Sequence, residues 1–250
     1  MGSLLDRFIS AAKSIRDERY ADATVVFAAG SVMRGEGTGY SDLDLVVIYP
    51  SLPCAYRESF RFQDLPVEAF VHDPETLHYF FLEVDRPSGV PSLPRMVVEG
   101  IEIPGPNETS RSLKELAASV IAMGPPALSF ADHQKLRYGI TDLMDDLRAP
   151  RSVCEVVGTG SQLFEALADY YFRSNGLWSA RGKSIPRALT LANAELCARY
   201  CTSFESLFKK GEVDAVIALG EELLQPGGGP LFAGHKLDAP QEWRRPFVDG

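Results

Sequence analysis

The chain has no long apolar run. Segments such as Val25–Ala29 and Leu45–Tyr49 fall far short of the roughly 18 consecutive apolar residues a membrane-spanning helix needs, so no membrane span is expected. Cysteine is scarce: Cys54, Cys154, Cys197 and Cys201 are scattered, form no CxxC pair and have no nearby histidine. That excludes a disulfide framework and a cysteine-ligated zinc site, and reduced thiols are expected. Cys197 and Cys201 are four apart on an expected helix and read as packing residues. Basic residues are in deficit, with 25 Lys plus Arg against 34 Asp plus Glu, a formal net charge of −9. Such a field repels polyanions and argues against a nucleic-acid partner. The amino-terminal segment lacks a continuous signal-peptide core, and Asp6 stands where a Met1-Gly2-Ser3 lipidation signal would want Ser or Thr, so a cytoplasmic protein is expected.

What the chain does contain is a globular mixture of patterns. Leu4, Leu5, Phe8, Ile9, Ala12 and Ile15 recur at helical spacing behind a Ser3/Asp6 cap signal, predicting an amphipathic helix at the start. Three strand-like segments follow, at 23–29, 42–49 and 65–72, each bounded by Gly, Pro, Ser or Asp. Their apolar runs predict a sheet covered on at least one face. Asp73-Pro74 then supplies a cap and a first-turn proline for a helix with the stripe Leu77, Phe80, Phe81 and Val84. The prolines at 87, 91, 94, 104 and 106 predict irregular chain with a short strand near 97–103.

A domain boundary is therefore expected near Pro106, giving 1–106 and 107–250. Beyond it the spacing is helical: Leu136, Ile140, Leu143 and Leu147; Leu163, Leu167 and Tyr170; Leu189, Ala192, Leu196, Tyr200, Phe204 and Leu207; Val213, Val216, Ile217, Leu223 and Leu224. Gly124, Gly182, Gly211 and the 226–230 stretch provide the breaks. The fold class expected is an α/β (α+β) domain followed by a helical bundle.

The stretch from Phe27 to Val47 carries the chemistry. Gly30 permits close approach of backbone to a ligand, and Ser31, at the expected start of a helix, offers a hydroxyl and unpaired N–H groups to phosphate oxygens. Asp42 and Asp44 are two apart on a strand, so both carboxylates point to one face, where a hard divalent cation relieves their repulsion. Mg²⁺ takes oxygen ligands and commonly shares carboxylates with substrate phosphates. Glu68 interrupts the apolar alternation of Val67, Ala69 and Val71. If its strand pairs beside the one carrying Asp44, it supplies a third acid.

Gly30-Ser31, the ten residues 32–41, Asp42-Leu43-Asp44 and the later Glu68 resemble the signature of the DNA polymerase β superfamily of nucleotidyltransferases. Within it the chain is most similar to small two-domain bacterial enzymes of the aminoglycoside nucleotidyltransferase type. The resemblance implies that Asp42, Asp44 and Glu68 are catalytic and hold two Mg²⁺ ions. It also implies that Gly30, Ser31, Arg34 and Ser41 bind ATP or another nucleoside triphosphate, and that a helical domain closes a cleft. Lys183 and Arg187 of the GKSIPR segment are candidate triphosphate contacts, because cations at a helix start oppose its dipole unless a ligand sits there.

Other features have plainer readings. Gly35, Gly37 and Gly39 lack the GxGxxG and GK[ST] contexts and form a connector. Asp142, Asp145 and Asp146 suit a solvated helix face. Tyr170 and Tyr171 suit core packing, although with Trp178 and Trp243 they offer rings on which an acceptor or base could stack. His72, His78, His133 and His235 have no metal-ligand spacing. The function expected is transfer of a nucleoside monophosphate, AMP from ATP, to a hydroxyl of a small molecule. The rivals are modification of a protein partner, as in antitoxin-like members of the superfamily, and a non-catalytic nucleotide-binding module.

Overall fold

The computed structural model describes residues 3–244, in two compact units, Met1–Pro126 and Ala127–Gly250. Met1 and Gly2, on which a lipidation reading turns, lie outside the described residues. In the first unit, α1 (Leu4–Arg19) opens with a capping box between Ser3 and Asp6 and buries Phe8, Ala12 and Ile15. Leu4 and Leu5, the first members of the expected stripe, are exposed.

Five strands follow: β1 (Val25–Ala29), β2 (Leu43–Ile48), β3 (Tyr56–Phe62), β4 (Leu65–His72) and β5 (Ile101–Ile103). They form one mixed sheet in the order β3-β4-β2-β1-β5. β2 and β4 are parallel, and the other neighbours are antiparallel. β1 is buried along its whole length because both faces of the sheet are covered. On one face Val26, Ala28, Leu43, Leu45, Val47 and Val67 meet Phe8, Ala12 and Ile15 of α1. On the other, Val25, Phe27, Val46 and Ile48 meet Leu77, Phe81, Leu93, Val97, Leu113, Ala117 and Val120. Each large apolar side chain so buried contributes about 1.5–3 kcal/mol.

The helices of that second face depart from the sequence expectation in three places. α2 (Pro74–Tyr79), capped by Asp73, runs through a π-helical turn (Phe80–Asp85) into the short α3 (Arg86–Ser88). The wider turn rotates the stripe, so Leu77 and Phe81 are buried while Val84 is exposed. The proline-rich stretch, expected to be irregular, contains α4 (Ser92–Glu99), with Pro94 tolerated in its first turn; the strand after it is confined to Ile101–Ile103. Finally, α5 (Glu108–Met123) lays Leu113, Ala117 and Val120 on the sheet. The boundary expected near Pro106 therefore falls inside the first unit, which runs to Pro126.

β3 was not anticipated, and it forms the edge of the sheet. It pairs with β4 through a two-residue hairpin whose central residues, Gln63 and Asp64, have φ of 47° and 67°. Both lie in the left-handed region that suits the twist of a tight hairpin. Glu58 ties the strand to α1 by an ion pair with Arg19 and by accepting from the Tyr20 hydroxyl at 2.8 Å. The Arg19 guanidinium lies over the Phe60 ring at 4.4 Å.

The second unit is helical: α6 (Phe130–Arg148), α7 (Val153–Ser174), α8 (Ile185–Ala192), α9 (Ala194–Lys210) and α10 (Asp214–Leu224). Ile140, Met144, Leu163, Leu167, Tyr170, Tyr200, Phe204, Leu207 and Val216 share its core, and Cys197 is buried with them. The run from Leu189 to Leu207 is two helices, not one. Asn193 ends α8 and caps α9, its side chain accepting from the Leu196 amide at 2.9 Å. Asp142, Asp145 and Asp146 are exposed on α6. No helix among the described residues is long and apolar enough to cross a membrane.

Asn107 joins α5 to the sheet. Its side-chain oxygen accepts from the Ser110 amide at 2.8 Å, and its side-chain nitrogen donates to the Thr24 carbonyl at 2.9 Å. Asn107→Ala is expected to lower the unfolding free energy by about 1–2 kcal/mol, measured by urea denaturation. An unchanged midpoint would show that α5 is not anchored there.

Candidate active site

β1 leads directly to the site. Its last residue, Ala29, pairs with Asp44, and the chain then turns at Gly30 with φ of +95°. A Cβ on Gly30 would stand 2.5 Å from Asp44 Oδ2. Only glycine lets the backbone pass this close to the carboxylate.

The next residues, 31–35, form a turn, not the start of a helix. The Glu36 amide donates to the Ser31 carbonyl at 2.9 Å, and the Gly35 amide donates to the Val32 carbonyl at 3.0 Å. The expected helix N-terminus is thus replaced by a tight backbone turn anchored by buried Val32. Gly37 closes against that anchor, since a Cβ there would come within 2.5 Å of the Val32 side chain. Ser31 and Ser41, at the two ends of the glycine-rich loop, share a hydroxyl–hydroxyl hydrogen bond of 3.0 Å. The Thr38 amide donates to the Ser41 hydroxyl at 2.9 Å. Arg34 is held by Glu36 and Glu99 at 3.4 and 3.3 Å.

Asp42 lies immediately before β2 and Asp44 lies within it, while Glu68 stands on the parallel neighbour β4, directly opposite Asp44. One carboxylate oxygen from each of the three lies within 4.8 Å of the others, and all three residues are half-buried. Among the described residues this is the only cluster of its kind. The alternation that places Val46, Ile48 and Phe70 under the helices of the second face puts these acids on the same face.

Burial and crowding act together on Asp44. Burial first, then the charges of Asp42 and Glu68, push the Asp44 carboxyl up to about 6, against the opposing pull of Arg34 and Arg57. Three carboxylate donors and no nitrogen or sulfur make a set suited to a hard divalent cation, which would also remove the repulsion. The donor set therefore fits a hard divalent cation such as Mg²⁺, which Asp42, Asp44 and Glu68 could hold.

Sequence reasoning missed Arg57. It projects from β3 and donates to Glu68 Oε2 at 2.6 Å. The available signal was the alternation of Tyr56, Glu58, Phe60 and Phe62 against Arg57, Ser59 and Arg61. In the second unit, Lys183 lies on a 3-10 turn (Gly182–Ser184) and Arg187 in the first turns of α8, and both are exposed. Tyr170 is buried in the bundle core, and Trp243 is exposed.

Residues 9–76 match the family model described as the nucleotidyltransferase domain. The match spans Gly30, Ser31 and all three acids and is consistent with the DNA polymerase β superfamily. A solved structure of a nucleotidyltransferase-like protein from Exiguobacterium sibiricum 255-15 is similar at 15% sequence identity, covering 87% of this chain and 74% of that one, with a TM-score of 0.43. No curated protein matches the chain significantly.

Two outcomes test this geometry. Because the folded state holds the Asp44 proton more tightly than an unfolded chain does, the Asp44 carboxyl costs stability in full above pH 6; the cost shrinks as pH falls below 6 and is gone only below the ordinary carboxylate value of 3.8. In metal-free buffer Asp44→Asn should therefore melt higher than the parent at pH 7.5, with the gap narrowing below pH 6 and closing toward about pH 4. A variant that melts lower at pH 7.5 would contradict the crowding. Gly30→Ala should cost about 1–3 kcal/mol through its left-handed backbone and should weaken Mn²⁺ binding by displacing Asp44. Unaltered Mn²⁺ affinity would show that the close approach is dispensable.

Proposed function

Starting from a chain whose residues 9–76 carry a nucleotidyltransferase domain, we propose that it is a Mg²⁺-dependent enzyme transferring AMP from ATP to a hydroxyl group of a small acceptor. The observation that carries this reading is the convergence of Asp42, Asp44 and Glu68 within 4.8 Å beside the Gly30 turn. Asp42, Asp44 and Glu68 would hold the metal, two ions in the full complement. Bound magnesium lowers the acceptor hydroxyl's pKa and neutralises charge on the phosphate oxygens in in-line displacement.

The remaining work falls to the chain's own groups. In this reading the backbone of the Gly30 turn and the hydroxyls of Ser31 and Ser41 donate to phosphate oxygens, and the Ser31–Ser41 hydrogen bond supports it by joining the two ends of the loop. Arg34 adds positive charge beside Asp44. Holding donor and acceptor in line lowers the barrier by positioning, a large component of phosphoryl transfer catalysis. Lys183 and Arg187 are proposed as further triphosphate contacts on the strength of their sequence motif. The net charge of −9 favours a neutral or cationic small acceptor over nucleic acid.

Pyrophosphate release from ATP over a panel of hydroxyl acceptors tests the reading. Asp42→Asn and Asp44→Asn should each lower the acceptor-dependent rate by at least about a thousandfold, the loss of roughly 4 kcal/mol of transition-state stabilisation, while far-ultraviolet circular dichroism stays unchanged. Normal turnover by either variant would refute the assignment. Adenylylated protein in the mass spectrum, with no small-molecule product, would move the acceptor to a protein side chain. Nucleotide binding without pyrophosphate release under all conditions would identify a regulatory module.

A further inference from the structure

Glu68 already has a cation on it. Arg57 reaches from the edge strand and donates from Nη2 to Glu68 Oε2 at 2.6 Å. In the antiparallel register Arg57 stands opposite Phe70, with Glu68 on the diagonal. Its guanidinium carbon also lies 4.8 Å from the centre of the Phe70 ring. The guanidinium is therefore held at two points, although the Arg57 side chain is 57% exposed and that of Glu68 30%.

An exposed ion pair of this kind adds little to stability on its own. Its position gives it another consequence, because the oxygen it engages belongs to one of three carboxylates converging within 4.8 Å. The charged groups around that point are Asp42, Asp44 and Arg34 from the first two strands and their connection, with Glu68 from β4 and Arg57 from β3.

We propose that Arg57 is a positioning residue that occupies Glu68 in the metal-free protein and sets the divalent-cation affinity of the site. This rests on the reading that the three acids hold a metal. A guanidinium and a divalent cation repel each other, and Arg57 draws on the charge of the same carboxylate that a cation would use. Binding at Glu68 is therefore opposed by the Arg57 charge and favours its departure. Phe70 gives the departing guanidinium a place to remain, since stacking on the ring face does not need the carboxylate. Arg57 stays beside the site and returns to Glu68 when the cation dissociates. The free protein thereby keeps its third ligand pointed at the other two without leaving three adjacent carboxylates uncompensated.

The experiment is Mn²⁺ titration of the nucleotide-free full-length protein, followed by the electron paramagnetic resonance signal of free Mn²⁺, for the parent, Arg57→Ala, Arg57→Gln and Arg57→Lys. Arg57→Ala and Arg57→Gln should each bind Mn²⁺ about fivefold more tightly than the parent, the size expected for removing one screened unit charge beside a divalent ion. Arg57→Lys should stay near the parent value. Tighter binding by both neutral variants supports the proposal, and using two of them covers the failure of either to fold. Parent binding with unchanged or weaker affinity in the neutral variants would overturn the role of Arg57 and leave the metal reading standing. Failure of the parent itself to bind Mn²⁺ would overturn both.

Discussion

Electrostatic repulsion among three side chains is the constraint around which the first unit is arranged. Two neighbouring strands running in the same direction bring Asp44 and Glu68 face to face, and Asp42 joins them from the residue before β2. In water such a group would spread apart. Here the sheet fixes the backbones, and burial first, then the charges of Asp42 and Glu68, push the Asp44 carboxyl upward. Paired buried carboxylates are tolerated in proteins when a proton, a cation or a neighbouring base relieves them. Arg34 and Arg57 supply part of that relief.

The rest of the unit holds this crowded point in place. Packing on both sides of the sheet makes β1, β2 and β4 rigid, so the acids cannot separate by moving their strands. Gly30 lets the loop after β1 pass against Asp44, and the hydrogen bond between Ser31 and Ser41 returns the chain to β2 with Asp42 at its start. The edge strand β3 is fastened to α1 through Glu58 and carries Arg57 to the third acid. Sequence, sheet order and electrostatics therefore meet at one end of one face of the sheet. Under the proposed nucleotidyl transfer, such an arrangement would fix in advance the cations that meet the charge developing on phosphorus-bound oxygens.

The parts legible in the sequence were those written as local periodicity. α1, β1, β2, β4 and most of the bundle helices follow from apolar spacing. Glu68 stood out because it broke the apolar alternation of its strand. What escaped depended on tertiary context. β3 carries three charged residues on an edge, and its hairpin uses Gln63 and Asp64 in place of an Asn-Gly signal, so neither burial nor turn chemistry announced it. Arg57 was lost with it. The π-helical turn after α2 shifts the stripe by hydrogen bonding that spacing alone does not encode. Ser31 satisfied the rule for a helix cap, but the glycines that follow favour a turn closed by Val32 and Gly37. The prolines of 87–94 suggested irregular chain, yet Pro94 sits where a helix's first turn needs no N–H. The division of the chain was misplaced because α5 looks like any amphipathic helix until its partner, the sheet, is known.

The most direct measurement is a crystal structure grown with Mn²⁺ and a non-hydrolysable ATP analogue, with the metal located by its anomalous scattering. The account predicts a peak bonded to carboxylate oxygens of Asp42 and Asp44, a second at Glu68, and the nucleotide's phosphates against the Gly30–Ser31 turn. An ordered nucleotide elsewhere, or an anomalous map featureless at these three acids, would contradict it.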